Sequence, residues 1–294
     1  MTYIVAFSPH RDDHAAIDLA CQLARSDSDR VRAVTVVPPG WPTAVAGHTD
    51  REFEQWAAGE GEACAAEAIE LLARHGDVPS EAAWLAGRSV PATLIEDAER
   101  VDAALIVVGS GDEARWGEVA MTSKTARLLH SSPVAVAIAP RGYRAGPDAV
   151  VRRATVAFRG DEQTRELLER AADICGRVGA ALRIVTFAVR GRTMYPPEIS
   201  GAEDMVLQEW RAQAEGQQAE AVSALVDNGF PADRLSAVIA VGRSWDRAVD
   251  SLDWGHDEVL VVGSSSTHRL THVFLGSSAS KIVRHSPVPV IAVP

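Results

Sequence analysis

The sequence predicts an α/β protein made of two tandem copies of one doubly wound, Rossmann-like fold, each copy carrying a five-stranded parallel sheet. Three observations predict it. At 294 residues the chain has the length of two ordinary domains. Its second half repeats its first. In each half, short apolar runs alternate with helical patterns.

The repeat is clearest toward the end of each half. Residues Gly109–Pro140 align without a gap on Gly263–Pro294, and ten of the 32 positions are identical. Chance would give about two on average composition. The identities include Gly109/Gly263, Ser110/Ser264, Ser123/Ser277, Pro133/Pro287 and Pro140/Pro294. Earlier, Val5-Ala6-Phe7 matches Val156-Ala157-Phe158, Trp56 matches Trp210, and Gly87-Arg88-Ser89 matches Gly242-Arg243-Ser244. A period this long makes each copy a domain rather than a solenoid unit. The expected domains are 1–140 and 151–294. The turn-rich segment 141–150, Arg-Gly-Tyr-Arg-Ala-Gly-Pro-Asp-Ala-Val, reads as the linker between them.

Within the first copy the apolar runs place strands near 3–8, 31–37, 82–86, 104–108 and 134–139. In the second copy they fall near 153–158, 181–187, 235–241, 258–262 and 288–293. Helices lie between them. Leu167, Leu168, Ala171, Ile174, Cys175 and Val178 recur at helical spacing and predict one buried stripe. Residues 203–228 read as a long helix stopped at Asn228-Gly229, with Pro231 beyond. Strands apolar throughout and separated by helices imply a parallel sheet covered on both faces. Such sheets bind ligands at the carboxyl ends of their strands, where the strand order reverses.

One segment has the composition of a binding site. Val262-Gly263-Ser264-Ser265-Ser266 ends the fourth strand of the second copy, and Gly276-Ser277-Ser278 opens the next helix. A glycine there lets a ligand approach the backbone closely. Unpaired N–H groups at the helix start, with the hydroxyls of Ser277 and Ser278, suit an anion, and phosphate is the natural guest. Ser264, Ser265 and Ser266 add donors from the strand side. The competing reading is a solvated loop whose serines merely lie near a helix start.

The spacing Gly263-x2-Ser266-x9-Gly276-Ser277 resembles the ATP motif of the universal stress protein family, Gly-x2-Gly-x9-Gly-Ser/Thr, with only the middle glycine changed. His285-Ser286-Pro287-Val288-Pro289-Val290 resembles the family's approach to its last strand, Val5-Ala6-Phe7-Ser8 its first strand, and Gly87-Arg88-Ser89 its turn after strand three. The likeness spans both halves, so the chain resembles a tandem member. It implies strand order 3-2-1-4-5 in each copy and a stress-response regulator that binds ATP, AMP or another adenine nucleotide in the second copy. By that likeness Phe158, Arg159 and Phe187 lie near the base. Val262, Gly263, Ser264, Ser265, Ser266, Gly276, Ser277 and Ser278 lie near the ribose and phosphates. The family's last strands pair across a dimer interface, so two fused copies are expected to pair as a pseudo-dimer within one chain. A further homodimer stays open.

Two departures bear on this. ATP-binding members carry an aspartate at the end of strand one, where this chain has Ser8 and Arg159. Arg159 either reaches a phosphate or fills the adenosine pocket. In the first copy the motif decays to Gly109-x2-Asp112-x9-Thr122-Ser123, and Asp112, Glu113 and Glu118 bring negative charge that opposes a phosphate. The alternative function is a ligand-free interaction module that kept the fold and lost the pocket. A hydrolase using Ser264–Ser266 and His272 ranks below both. At most, slow ATP hydrolysis is expected.

Other signals are set aside. Gly109-Ser110-Gly111 imitates a dinucleotide fingerprint but follows the fourth strand, not the first. His10/His14 and His268/His272 are spaced four apart, yet zinc normally needs a third protein ligand, so no metal is expected. Trp41-Pro42 and Tyr195-Pro196-Pro197 either rim the cleft or are exposed turn residues. A net charge of −11 argues against nucleic acid and anionic membrane as partners. The apolar runs are too short to span a bilayer. Three scattered cysteines, Cys21, Cys64 and Cys175, are expected as reduced thiols in the cytoplasm.

Overall fold

The structure is a computed structural model that describes residues 1–8, 14–40, 48–189, 202–263 and 276–294. In the first half the strands are β1 (Thr2–Ala6), β2 (Arg30–Val37), β3 (Ser80–Ala86), β4 (Ala103–Gly109) and β5 (Ala135–Ala139). They alternate with α1 (Ala15–Asp27), α2 (His48–Leu72), α3 (Val90–Arg100) and α4 (Ser123–Ser131). The second half repeats the order with β6 (Arg153–Ala157), α5 (Glu162–Val178), β7 (Ala181–Val189), α6 (Ala202–Asp227), β8 (Leu235–Gly242), α7 (Trp245–Asp250), β9 (Glu258–Gly263), α8 (Ser277–His285) and β10 (Val290–Val293). The ten strands expected from the sequence are present, most ends moving by one or two residues. Helix α6 stops where glycine permits it: Gly229 has φ +94°, a left-handed value that costs other residues strain.

The two expected sheets are joined into one. Its order is β3-β2-β1-β4-β5-β10-β9-β6-β7-β8, which is 3-2-1-4-5 in each half, back to back. All pairings within a half are parallel, while β5 and β10 pair antiparallel, Ile138 opposite Val290 and Ala137 opposite Ile291. Each half thus covers the other's bare strand edge. One face of the sheet carries a core shared by α1 and α5, including Val5, Val107, Val156 and Val261. On the other face Leu128 and Leu129 of α4 share a core with Ile282 and Val283 of α8 across the β5–β10 seam.

Segment 141–150 is held against α1. The Tyr143 hydroxyl donates to the Gln22 side chain, and Arg25 donates to the Ala149 carbonyl at 2.8 Å. Val151 N–H follows, donating to Ser26 Oγ at 2.8 Å. One residue of the expected α5 stripe departs from the pattern. Ile174 is 48% exposed, lining an open apolar groove between α1 and α5 rather than packing into the core.

Candidate functional site

Strand β6 is the switch point of the second half. It pairs with β7 on one side and β9 on the other, so the connections leave its carboxyl end in opposite directions and open a crevice there. The crevice is a cavity of about 350 Å³. Its floor is the strand ends: Phe158 and Arg159 after β6, Thr186 and Phe187 on β7, Val262 and Gly263 on β9. Ser278, Ala279 and Ile282 of α8 form one wall, Trp245 of α7 stands beside them, and α6 closes the opposite side.

Ten of the sixteen lining residues are apolar and six are polar or charged, a mixed make-up that suits a small molecule with both apolar and polar parts. Phe158 is 2% exposed and anchors the floor in the core. The Phe187 and Trp245 rings lie 6.5 Å apart, tilted by 44°, and Lys281 Nζ sits 5.7 Å from the Trp245 ring. The Thr186 hydroxyl accepts from Gln218 Nε2 at 2.9 Å, which fixes α6 over β7.

Helix α8 begins at this cavity. Its N-cap is Gly276, in an extended conformation that offers no side-chain acceptor to the first turn. Those first N–H groups carry the positive end of the helix dipole. The first half is arranged differently at the matching place. Thr122 Oγ1 caps α4, accepting from Thr125 N–H at 3.1 Å. The loop ahead of it is tied to itself: Ser110 Oγ accepts from Ala120 N–H at 2.7 Å, and Gly111 N–H donates to the Ala120 carbonyl at 2.9 Å. Arg141 braces that loop through the Asp112 and Ala114 carbonyls, at 2.7 and 2.8 Å.

Arg159 does not fill the crevice. Its side chain is half exposed and pairs with Asp161 at 2.9 Å, leaving the cavity open beside it. Asp161 also caps α5, accepting from Thr164 N–H at 2.9 Å and from the Thr164 hydroxyl at 2.7 Å. Burial pushes the Asp161 carboxyl upward, but the Thr164 bonds and the Arg159 charge outweigh that and hold it below its ordinary value. A carboxylate favoured in this way stabilises the fold above its ordinary range and ceases to as pH falls through the lowered value. Asp161→Asn keeps the cap and removes the charge. It is expected to cost a few tenths to about 1 kcal/mol at pH 7, given the screening at this exposed pair. The deficit should begin to shrink below the ordinary value of 3.8 and vanish only once pH has fallen through the lowered one. Urea denaturation at pH 7 and pH 3 checks this; an equal deficit at both would place the effect in packing.

Of the residues singled out in the sequence, Phe158, Arg159, Phe187, Val262, Gly263 and Ser278 line one cavity. Gly276 and Ser277 stand at the start of α8 next to it but do not line it. Ser264, Ser265, Ser266, His10, His268, His272, Trp41-Pro42 and Tyr195-Pro196-Pro197 lie outside the described residues. The sequence reading missed Thr164, Thr186, Trp245 and the whole α6 wall, Trp210, Gln213, Ala214 and Gln217. Two signals were available: Trp210 has a repeat partner in Trp56, and Trp245 directly follows the repeated Gly242-Arg243-Ser244. No group of three metal-ligating side chains occurs among the described residues, and none of their helices is long and apolar enough to cross a membrane.

The universal stress protein family matches residues 2–140 and again 151–294. A universal stress protein of Mycobacterium tuberculosis is 36% identical over 296 residues, covering all of both chains, and one of Mycobacterium bovis matches equally. Among solved structures, a universal stress protein of Archaeoglobus fulgidus covers 99% of this chain and 97% of its own at 16% identity, with a TM-score of 0.59. Another from the same organism, solved in complex with dAMP, covers 49% of this chain and 98% of its own at 18% identity, with a TM-score of 0.33. The chain belongs to the universal stress protein family, which it matches once in each half.

Proposed function

We propose that the crevice of the second half binds an adenine nucleotide, ATP or AMP, and that its occupancy is what this stress-response protein reports. The single observation that carries the reading is an open cavity of about 350 Å³ onto which the N-terminus of α8 abuts, its N-cap Gly276 supplying no side-chain cap. Phosphates lie toward Gly276, Ser277 and Ser278, where helix amides favour an anion. The base lies above the buried Phe158, against Phe187 and Trp245, whose rings supply apolar area and stacking faces. Arg159 stands at the rim, held by Asp161, within the lining and available to a phosphate. The first half is the scaffold of the pair. Its Thr122 hydroxyl already occupies the acceptor position at the start of α4, and its loop is tied to itself.

Gly276→Asp tests the reading. Aspartate is a good N-cap in the extended conformation that Gly276 adopts, so α8 should gain a few tenths of a kcal/mol. The same carboxylate takes the helix amides and repels phosphate. Losing charge-assisted bonds of this kind costs about 1.5–3 kcal/mol, and repulsion adds to it, so affinity should fall about a hundredfold or more. Titration calorimetry with ATP, ADP and AMP should show one site per chain, lost in Gly276→Asp and kept in Thr122→Asp. No heat with any of the three nucleotides would refute nucleotide binding and leave the ligand-free module.

A further inference from the structure

The wall contributed by α6 has the wrong composition for packing and the right one for recognition. Trp210, Gln213, Ala214 and Gln217 are spaced three, one and three apart, so they form a single stripe down the helix, and all four line the cavity. Further along, α6 turns an ordinary apolar stripe to the sheet: Ala221 and Leu225 are buried. The change from apolar to aromatic-and-amide occurs where the helix passes the crevice.

Two adjacent glutamines behave differently there. Gln218 is 5% exposed and spends its carboxamide on protein, donating to Thr186 Oγ1 and to the Val238 carbonyl, each at 2.9 Å. Gln217 is half-buried, lines the cavity, and makes no hydrogen bond among the described residues. Its carboxamide lies against Gly160, in the turn directly after Arg159. A Cβ built on Gly160 would run into that amide, and the left-handed φ of +82° excludes most other residues as well. The missing side chain at 160 therefore makes room for Gln217. A polar group held in a part-apolar cavity with its donor and its acceptor unspent is placed for a ligand that offers one of each.

We infer that Gln217 is a specificity-determining residue that reads the edge of the bound base. This rests on the nucleotide reading above. A carboxamide pairs in bidentate fashion with a neighbouring amino group and ring nitrogen, as adenine presents at its N6 and N7. The Phe187 and Trp245 rings supply faces for the same heterocycle. Gln217 acts on the base, and the start of α8 on the phosphates, so the two contacts can be separated by experiment.

The test compares AMP with purine riboside 5′-monophosphate, which lacks the 6-amino group, on the wild-type chain and on Gln217→Ala. Together they form a double-mutant cycle between one side chain and one ligand group. The wild-type chain should prefer AMP about tenfold, the discrimination expected of a bidentate contact. Gln217→Ala should bind the two ligands within about twofold of each other, with an unchanged Tm, since its side chain makes no bond within the described fold. The same AMP preference in Gln217→Ala overturns this inference alone. Absence of binding of either ligand to the wild-type chain overturns the nucleotide reading and this one with it.

Discussion

Glu258→Ala is expected to remove about 3–5 kcal/mol of stability, measured by urea or thermal unfolding. Glu258 opens β9 and is 1% exposed. Its carboxylate accepts from Arg183 Nη2 and from Arg153 Nη2, both at 2.6 Å, from Gly255 N–H at 2.8 Å, and from the Thr155 hydroxyl. Arg183 is nearly as deep, with its guanidinium 5.0 Å from the Trp254 ring and Nη1 donating to the Asp253 carbonyl at 2.9 Å. Burial pulls the Arg183 pKa down, and Glu258 is the charge that offsets it. Without Glu258 two guanidinium groups face one another in a site with little water. Breaking a buried pair in this way costs far more than the pair contributes net, because the remaining charge is stranded. On a total of about 5–15 kcal/mol for an ordinary domain, that is a large fraction. A loss below about 1 kcal/mol would mean that water reaches the site and screens it as it does at a surface.

Val290→Asp is expected to disrupt the second half and the junction together. β10 has only four residues, yet it lies between β5 and β9 and pairs with both. Val290 is fully buried in the core shared by Leu129, Ile138, Leu260 and Val283. A carboxyl group there must either stay charged without a partner or take up a proton well above its ordinary pKa. Either way the cost is several kcal/mol, on the order of 4 or more with the lost packing included. Thermal unfolding followed by limited proteolysis should show the β9–β10 region cut first, with the crevice lost, since α8 leads directly into β10. An unaltered Tm would show that the seam contributes little and that each half stands alone.

The Arg183–Glu258 pair also shows how the repeat diverged. Arg32 on β2 and Arg183 on β7 occupy corresponding places, Arg32 half-buried and Arg183 buried. In the first half the partners are Asp97, from α3, at 2.9 Å and Glu81, from β3, at 2.6 Å; in the second the partner is Glu258, from β9, at 2.6 Å. Each half met the same electrostatic need from different elements. Sequence alignment aligns the arginines but cannot pair them, because a salt bridge depends on which side chains converge in space.

The amino-acid sequence by itself determined the ten strands, the duplication, the family and the strand-end half of the crevice. Apolar runs of strand length bounded by helical patterns admit little else, and in this topology the ends of β6, β7 and β9 must converge. Hence the likeness to the family, laid on this topology, sufficed to name Phe158, Arg159, Phe187, Val262, Gly263 and Ser278, which line the cavity. Tertiary structure alone decided the rest: that α6 crosses the crevice and brings Gln217 to it, that Arg159 turns to Asp161, that Ile174 stays exposed, and that Thr122 closes the first-half helix start. The physical reason is that strand position follows from local pattern, whereas these outcomes depend on where a long helix passes and which of several nearby charges or amides a flexible side chain reaches first.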